Sequence, residues 1–142
     1  MENQPILMMN KLTNLFFRAL DAMNCEKLGE SITGQNMMII GFLARHNTDV
    51  YQKDLERHFS VRRSTISKTL HIMEEKGIVK RSTVCNDARL KKIVLTDKGW
   101  MIYHLASDSV RVLEEKIYTD FTEEEFSTLK NLLCKMEKNL IA

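Results

Sequence analysis

The sequence predicts a mainly α-helical protein with one small β-hairpin, the wing, near its middle. Three observations support that fold class. One proline and five glycines in 142 residues leave long stretches free of helix breakers. Apolar residues recur at spacings of three and four along most of the chain, which is the period of amphipathic helices. Two short runs rich in Ile and Val, residues 78–81 and 93–95, flank a polar turn at residues 86–89.

Composition and cysteine usage exclude several classes of protein. Apolar residues make up 44% of the chain and charged residues 28%, which is typical of a globular domain. No apolar run approaches the roughly 20 residues that cross a bilayer. Glu2 stands where a secretion signal would be basic, so we expect a cytoplasmic protein with no membrane partner. Cys25, Cys85 and Cys134 are too far apart for a metal-binding motif, so we expect reduced thiols, no metal and no cofactor.

The N-terminal third predicts two helices. The first covers residues 6–23 and is apolar on several sides, so it needs more than one neighbour. A polar link containing Gly29 follows at residues 24–31. Thr33 is the predicted N-cap of the second helix, with Ile32 and Met37 as a hydrophobic staple. The second helix is apolar nearly all round, which predicts the central core helix, and it ends near His46.

Two shorter helices follow, joined by a tight turn. Asp49 is the predicted N-cap of the third helix, and Gln52 is its predicted capping-box partner. After a turn at residues 60–62, the fourth helix covers residues 63–76 and ends at Gly77. Its inward stripe consists of Ile66, Leu70 and Met73. A helix, a turn, a second helix and a hairpin, in that order, predict a winged helix-turn-helix.

Two long helices close the chain. Thr96 is the predicted N-cap of the fifth helix, and Thr122 with Glu125 forms the predicted capping box of the sixth. Both helices carry the apolar seam of helix-on-helix packing. The seam residues are Tyr103, Ala106, Val110, Leu113 and Ile117 in the fifth helix, and Phe126, Leu129, Leu133, Met136 and Leu140 in the sixth. We expect the first helix and the last two to bury these faces against a second copy of the chain.

The charge of the chain is distributed unevenly. Residues 53–98 contain 12 Lys and Arg against 6 Asp and Glu, whereas the remainder contains 9 against 13. This asymmetry favours a polyanionic partner for the middle of the chain alone. An ordinary solvated surface is the alternative, and the asymmetry by itself does not decide between them.

The outward face of the fourth helix carries the donors that a recognition helix needs in the major groove of DNA. The predicted DNA-contacting residues on this face are Arg62, Arg63, Ser64, Thr65, Ser67, Lys68, Thr69 and His71. A helix face that is polar only because it is exposed is the alternative.

The hairpin adds basic residues of its own. Arg89, Lys91 and Lys92 are predicted DNA contacts, because an arginine at a hairpin tip suits the narrow, electronegative minor groove. Asp87 is expected to orient Arg89 as its carboxylate partner. A surface turn held by an ordinary Asp–Arg contact is the alternative. The sequence contains no visible nucleophile–base pair or Gly-rich phosphate loop, so we expect no enzymatic activity.

Two motifs and two longer runs carry a family resemblance. The motifs are Asp87-Ala88-Arg89 and Leu95-Thr96-Asp97-Lys98-Gly99, and the runs are residues 64–68 and 73–81. In these stretches, and in the order of its helices, the sequence resembles the MarR family of bacterial transcription regulators. The resemblance implies a homodimer joined through its terminal helices. It also implies a repressor of a pseudo-palindromic operator in double-stranded DNA, released by an effector.

The resemblance further implies a functional division of the chain. Residues 1–32 would form the N-terminal dimerisation helix and link, residues 33–96 the DNA-binding lobe, and residues 97–142 the rest of the dimerisation region. A small-molecule effector pocket is expected between the dimer helices and the winged core. Its candidate lining residues are Leu12, Phe16, Met37, Met38 and Tyr103, for each of which core packing is the alternative. A winged-helix protein–protein interaction module without DNA binding is the alternative function.

Two further features suggest sensing. Cys85 lies near the predicted hairpin tip, where an oxidised thiol could move Arg89, although a plain strand residue is the favoured interpretation. His104 and Asp108 stand four residues apart on one helix, a spacing that can place two ligands on one metal. A solvated helix face is the favoured interpretation of this second pair, because no full ligand set is visible.

Overall fold

The computed structural model describes residues 4–30, 32–84 and 87–142, with the side chains of all of these except residues 83–84 and 87–89. The helices are α1 Pro5–Leu28, α2 Gly34–Arg45, α3 Gln52–Phe59, α4 Arg63–Glu75, α5 Asp97–Ile117 and α6 Glu123–Ile141. The strands are β1 Val50–Tyr51, β2 Val79–Val84 and β3 Asp87–Leu95. This architecture confirms the predicted fold class, a mainly helical chain with a small wing. The chain forms two compact units, Met1–Val110 and Arg111–Ala142.

Buried apolar side chains from several elements build the core of the first unit. Helix α2 supplies Ile39 and Ile40, and helix α3 supplies Leu55; all three are fully buried. Helix α4 contributes its predicted stripe, and helix α5 contributes Ile102. Burying side chains of this size contributes roughly 1.5–3 kcal/mol each, so this core holds the short helices α3 and α4 in place.

Helix α1 is longer than the sequence predicted. It continues through the predicted polar link and ends at Leu28, where Gly29 adopts a left-handed φ of 72° and its N–H bonds to the carbonyl of Cys25. One of the polar residues of the link, Asn24, is buried at 1% exposure inside the continued helix. Lys27 donates from Nζ to Oγ of the buried Ser109 at 2.9 Å, which ties the end of α1 to α5.

The start of α3 is also corrected. The predicted cap, Asp49, lies before strand β1, and the N-cap of α3 is Tyr51. The backbone N–H of Tyr51 donates to Oδ2 of Asp54 at 2.8 Å, so Asp54 takes the role predicted for Gln52. The cause is tertiary: Val50 pairs with Ile93 of β3, and this pairing keeps residues 50–51 extended.

The sheet has three antiparallel strands in the order β1-β3-β2. Strands β2 and β3 are longer than predicted, and β3 begins at Asp87. The predicted turn at residues 86–89 is therefore wrong for residues 87–89, whose backbone is strand; Asn86 lies outside the described residues. Asp87 pairs with Val84 next to a register shift at residues 83–84.

Three predicted helix caps are confirmed. Thr33 accepts from the N–H of Asn36 at 3.2 Å, and Thr96 accepts from the N–H of Gly99 at 3.1 Å. In the second unit, Thr122 and Glu125 bond to each other's backbone N–H at 3.1 and 2.9 Å, which completes the capping box. Among the helices of the described residues, none has an apolar stretch long enough to cross a membrane.

Candidate nucleic-acid interface

Helix α4 presents its predicted polar face to solvent. Ile66, Leu70 and Met73 are each fully buried, so the helix cannot turn that face inward without emptying the core. On the outward side, the exposed predicted residues are Arg62, Arg63, Ser64, Thr65, Lys68 and His71, and the partly buried ones are Ser67 and Thr69. Arg62 is the N-cap and makes no side-chain cap bond, which leaves its guanidinium free of a capping role.

Two residues of this face have partners within the protein. The hydroxyl of Thr69 lies 2.9 Å from the carbonyl oxygen of Thr65 and 3.3 Å from Oε1 of Gln35 on α2. Nε2 of His71 lies 3.3 Å from Oε1 of Glu75, one turn further along α4. Thr69 therefore braces α4 against α2, while His71 stays at an exposed position.

The two wing lysines are placed differently by strand β3. Successive residues of a strand point to opposite faces of the sheet, so Lys91 and Lys92 diverge. Lys91 is exposed and borders a cleft beside α4. Nζ of Lys92 lies 2.9 Å from Oδ1 of Asp49, on the side of the α2–β1 connection. Arg89 and Asp87 have strand backbone, and their side chains lie outside the described residues.

The pair between Lys92 and Asp49 changes the chemistry of the lysine. The hydrogen bond from Lys92 to the Asp49 carboxylate, reinforced by the opposite charge, raises the pKa of Lys92 above its usual range. Lys92 is therefore firmly cationic, but its charge is already matched within the protein.

A polar cleft of about 380 Å³ lies between α3, α4 and the two wing strands. Its lining residues are Tyr51, Gln52, Lys53, Glu56, Arg63, Ser67, Arg81, Leu90 and Lys91. We call this feature the basic cleft, because its described lining contains four cations from four different elements and one carboxylate, Glu56. Only Arg63, Ser67 and Lys91 were predicted as site residues.

Lys53 and Arg81 also line this cleft, although neither was predicted as a site residue. Lys53 lies in the first turn of α3, and Arg81 lies on β2 with its side chain 19% exposed. Nε of Arg81 donates to Oε2 of Glu74 on α4 at 2.6 Å, which fixes the guanidinium against the cleft wall. The basic excess of residues 53–98 was the signal for them, but it does not show which cations meet.

The five predicted pocket residues do not share one environment. Met37 is buried, Leu12 and Met38 are exposed, and Phe16 and Tyr103 are partly buried. A shallow cavity of about 400 Å³ does lie between α1 and the start of α2. Its lining residues are Asn14, Phe17, Arg18, Asp21, Ile32, Thr33 and Gly34, and none of the five predicted residues is among them.

The sensing residues are placed as follows. Cys85 lies outside the described residues, and Cys25 and Cys134 are exposed thiols. The imidazole of His104 stacks on the indole of Trp100 with ring centroids 6.0 Å apart. Within the described ranges, no three His, Cys, Asp or Glu side chains cluster in a way that could hold a metal ion.

The helix-turn-helix formed by α3 and α4, with β2 and β3 beside it, defines a winged helix-turn-helix protein. The MarR family model matches residues 31–90. A transcription regulator MarR from Oenococcus oeni is 26% identical, with a TM-score of 0.71, and the match covers 93% of this chain and 94% of that one. A MarR/EmrR family transcriptional regulator from Acinetobacter is 25% identical, with a TM-score of 0.80, over 94% and 92% of the two chains. The chain is thus similar to MarR family regulators, and the family model matches the stretch that contains α2, α3, α4 and most of the sheet.

The fold is also that of MepR from Staphylococcus aureus in its crystallised complex with DNA. That match has a TM-score of 0.85 at 22% identity and covers 96% of this chain and 98% of MepR. The agreement extends over nearly the whole of both chains, so it includes the terminal helices as well as the winged core.

Proposed function

We propose that this chain is a DNA-binding transcriptional regulator that acts as a homodimeric repressor. One observation carries the proposal: the exposed donor face of α4 adjoins the basic cleft, where Lys53, Arg63, Arg81 and Lys91 converge. Cations from separate elements favour a polyanionic partner. The adjacent helix has a diameter that fits the major groove, so we propose that the polyanion is duplex DNA.

In this proposal α4 enters the major groove. Arg62, Arg63 and Lys68 lie along its exposed side and can reach guanine edges or phosphates. The small hydroxyl side chains of Ser64 and Thr65 allow the helix to approach the base edges closely. Arg89 on β3 is proposed to enter the adjacent minor groove, oriented by Asp87.

The basic cleft is proposed to receive one phosphate group of the DNA backbone. Lys53 at the start of α3 and Lys91 on β3 line the cleft together with Arg63. Phosphate contacts of this kind fix the register of a protein on DNA without reading its sequence. MepR, which shares the fold, was crystallised with DNA, and this supports DNA as the partner of the chain.

A second copy of the chain is proposed to cover the terminal helices. On α1 the exposed apolar residues are Ile6, Leu7, Met8, Leu12 and Leu15. On α6 they are Phe126, Leu129, Leu132, Leu133, Leu140 and Ile141. Each helix separately exposes an apolar face of the kind that marks an interaction surface. Residues 1–32 and 97–142 would then form the dimerisation regions, and residues 33–96 the DNA-binding lobe.

Release from DNA is proposed to depend on an effector. A small molecule bound among Leu12, Phe16, Met37, Met38 and Tyr103 would connect the dimerising helices with the core. Because a ligand shifts an equilibrium only by its differential affinity, the effector must bind the DNA-free arrangement more tightly. The protein would act in the cytoplasm, where its DNA is.

The test is binding to duplex DNA selected by the purified protein from a random pool. Affinity is measured by fluorescence anisotropy between about 50 and 200 mM salt, a range over which several phosphate contacts lose orders of magnitude in affinity. We expect one selected pseudo-palindrome and a steep loss of affinity with salt. No selected sequence, or binding that ignores salt, would instead favour the protein–protein interaction module, which the basic cleft disfavours.

A further inference from the structure

Among the described residues that line the basic cleft, Glu56 is the only carboxylate. It lies on α3, and the cleft around it contains Lys53, Arg63, Arg81 and Lys91. Its Oε1 atom is fully covered and has no hydrogen-bond partner in the described part of the chain. A covered carboxylate oxygen without a donor is unfavourable, so its presence inside a cluster of cations needs a reason.

Orientation of a neighbouring arginine does not account for Glu56. One of the two arginines that line the cleft, Arg81, is already held by Glu74, whose Oε2 accepts from Nε at 2.6 Å. An orienting carboxylate makes short, often bidentate, hydrogen bonds of this kind. Oε1 of Glu56 makes none within the described residues. Within the described residues, this oxygen of Glu56 therefore orients no arginine, and the negative charge of the side chain remains available to the cleft.

We infer that Glu56 limits the affinity of this protein for DNA of any sequence, by repelling the backbone phosphate that enters the basic cleft. The inference rests on the proposed function, because it concerns the same surface. A carboxylate and a phosphate in one cleft repel each other, and this repulsion is stronger at a partly buried site than in water. The four cations still attract the phosphate, so Glu56 weakens binding without abolishing it.

The repulsion acts equally on specific and non-specific DNA. A backbone phosphate carries no base information, so a charge that faces it changes both affinities by the same factor. A genome presents about 10⁶–10⁹ competing non-specific sites, and excess electrostatic affinity would hold the protein there. A carboxylate inside the cleft keeps that sequence-independent contribution low and favours release.

The test replaces Glu56 by its neutral near-isostere. Glu56→Gln keeps the volume of the side chain and removes the charge, while Glu137→Gln makes the same charge change at an exposed position on α6. Affinity is measured by fluorescence anisotropy for the selected duplex and for a scrambled duplex of equal length, each over a salt series. Thermal melting checks that each variant is folded, and Glu56→Ala replaces Glu56→Gln if the latter is unfolded.

We expect Glu56→Gln to bind both duplexes roughly three- to tenfold more tightly, by similar factors, whereas Glu137→Gln matches the wild type. The log–log salt dependence should steepen by about one unit, because the net positive charge of the cleft that meets the phosphate rises by one. Unchanged or weaker binding, or a gain confined to the selected duplex, would overturn the inference while leaving the proposed function standing. A wild-type protein that binds neither duplex would overturn both.

Discussion

Nζ of Lys92 lies 2.9 Å from Oδ1 of Asp49, and this ion pair joins strand β3 to the connection between α2 and β1. It forms because Val50 pairs with Ile93 and Tyr51 pairs with Lys92, which brings Asp49 beside the strand. Asp49 was predicted as a helix cap and Lys92 as a DNA contact, but in the structure their opposite charges pair with each other. The effect of this ion pair on the pKa of Lys92 and on DNA binding can be measured.

The first prediction concerns the pKa of Lys92. Asp49→Asn removes the hydrogen-bonding carboxylate that raises it, so the pKa of Lys92 should fall toward the ordinary lysine value. Because the folded-state pKa is raised, the stabilisation by this pair is fully present below the unfolded-state pKa and is lost as pH rises through the folded-state value. NMR titration of the lysine Cε signals measures the shift. Asp120→Asn is the charge-matched control, and an identical Lys92 titration in Asp49→Asn would refute the assignment.

The second prediction separates the two wing lysines. Lys91→Ala should weaken binding to all duplexes and reduce the salt slope by about one unit, as expected for a phosphate contact. Lys92→Ala should change affinity less than about twofold, because its charge is matched by Asp49 and screened from the DNA. Fluorescence anisotropy over a salt series measures both. Equal losses in the two variants would mean that Lys92 leaves Asp49 to bind DNA.

The third prediction concerns the glycine that follows the wing. Gly99 is buried, and a Cβ atom there would collide with the backbone carbonyl oxygen of Ile78 and press on the Leu95 side chain. Gly99→Ala should therefore reduce the free energy of unfolding by about 1–3 kcal/mol. Gly41→Ala is the control, because the atoms nearest to its Cβ belong to the movable guanidinium of Arg45 and not to the backbone. Urea denaturation measures both, and an unaffected Gly99→Ala would show that β2 and α5 can separate at no cost.

The fourth prediction concerns a buried amide. Asn24 is 1% exposed, and within the described residues neither Oδ1 nor Nδ2 has a hydrogen-bond partner. Asn24→Leu replaces both polar atoms by methyl groups in the same branched shape and should raise the free energy of unfolding by about 1–2 kcal/mol. Asn10→Leu, at an exposed position on α1, should give no such gain. Thermal and urea unfolding measure the stability of both variants. A destabilised Asn24→Leu would mean that the amide binds a partner in solution.

The fifth prediction tests the proposed dimer. Leu132 on α6 is 54% exposed, so Leu132→Glu disturbs no core but places a charge where the second copy is proposed to pack. The variant should elute as a folded monomer, whereas Lys130→Glu should remain dimeric. Light scattering coupled to gel filtration gives the mass. A Leu132→Glu dimer would exclude this face from the interface.

Local signals in the sequence were reliable where neighbours along the chain complete the interaction. Thr33 and Thr122 were identified as N-caps because the groups that they bind lie three residues away. The inward stripe of α4 was identified because helical spacing alone puts Ile66 and Leu70 on one side. The same helical period predicted the exposed polar face of α4, on which the proposed DNA contacts lie.

Non-local pairing accounts for the errors. Asp49 has the chemistry of a cap, but β1 forms only because a strand more than forty residues later lies beside it. The length of β3 depends in the same way on its pairing with β2, which replaces the predicted turn from Asp87 onward. A helix cap can be predicted from adjacent residues. A strand forms only with a partner strand, and the local sequence does not identify that partner.

The sequence by itself determined the class of fold, the family resemblance and the polar face of α4, because each depends on residue types at short, fixed spacings. Tertiary structure alone decided that one cleft is lined by Glu56 together with Lys53, Arg63, Arg81 and Lys91. It also decided that Lys92 turns away to Asp49. Convergence of side chains from separate elements depends on how strands and helices pack, and alternation along β3 then sends neighbouring lysines to opposite faces.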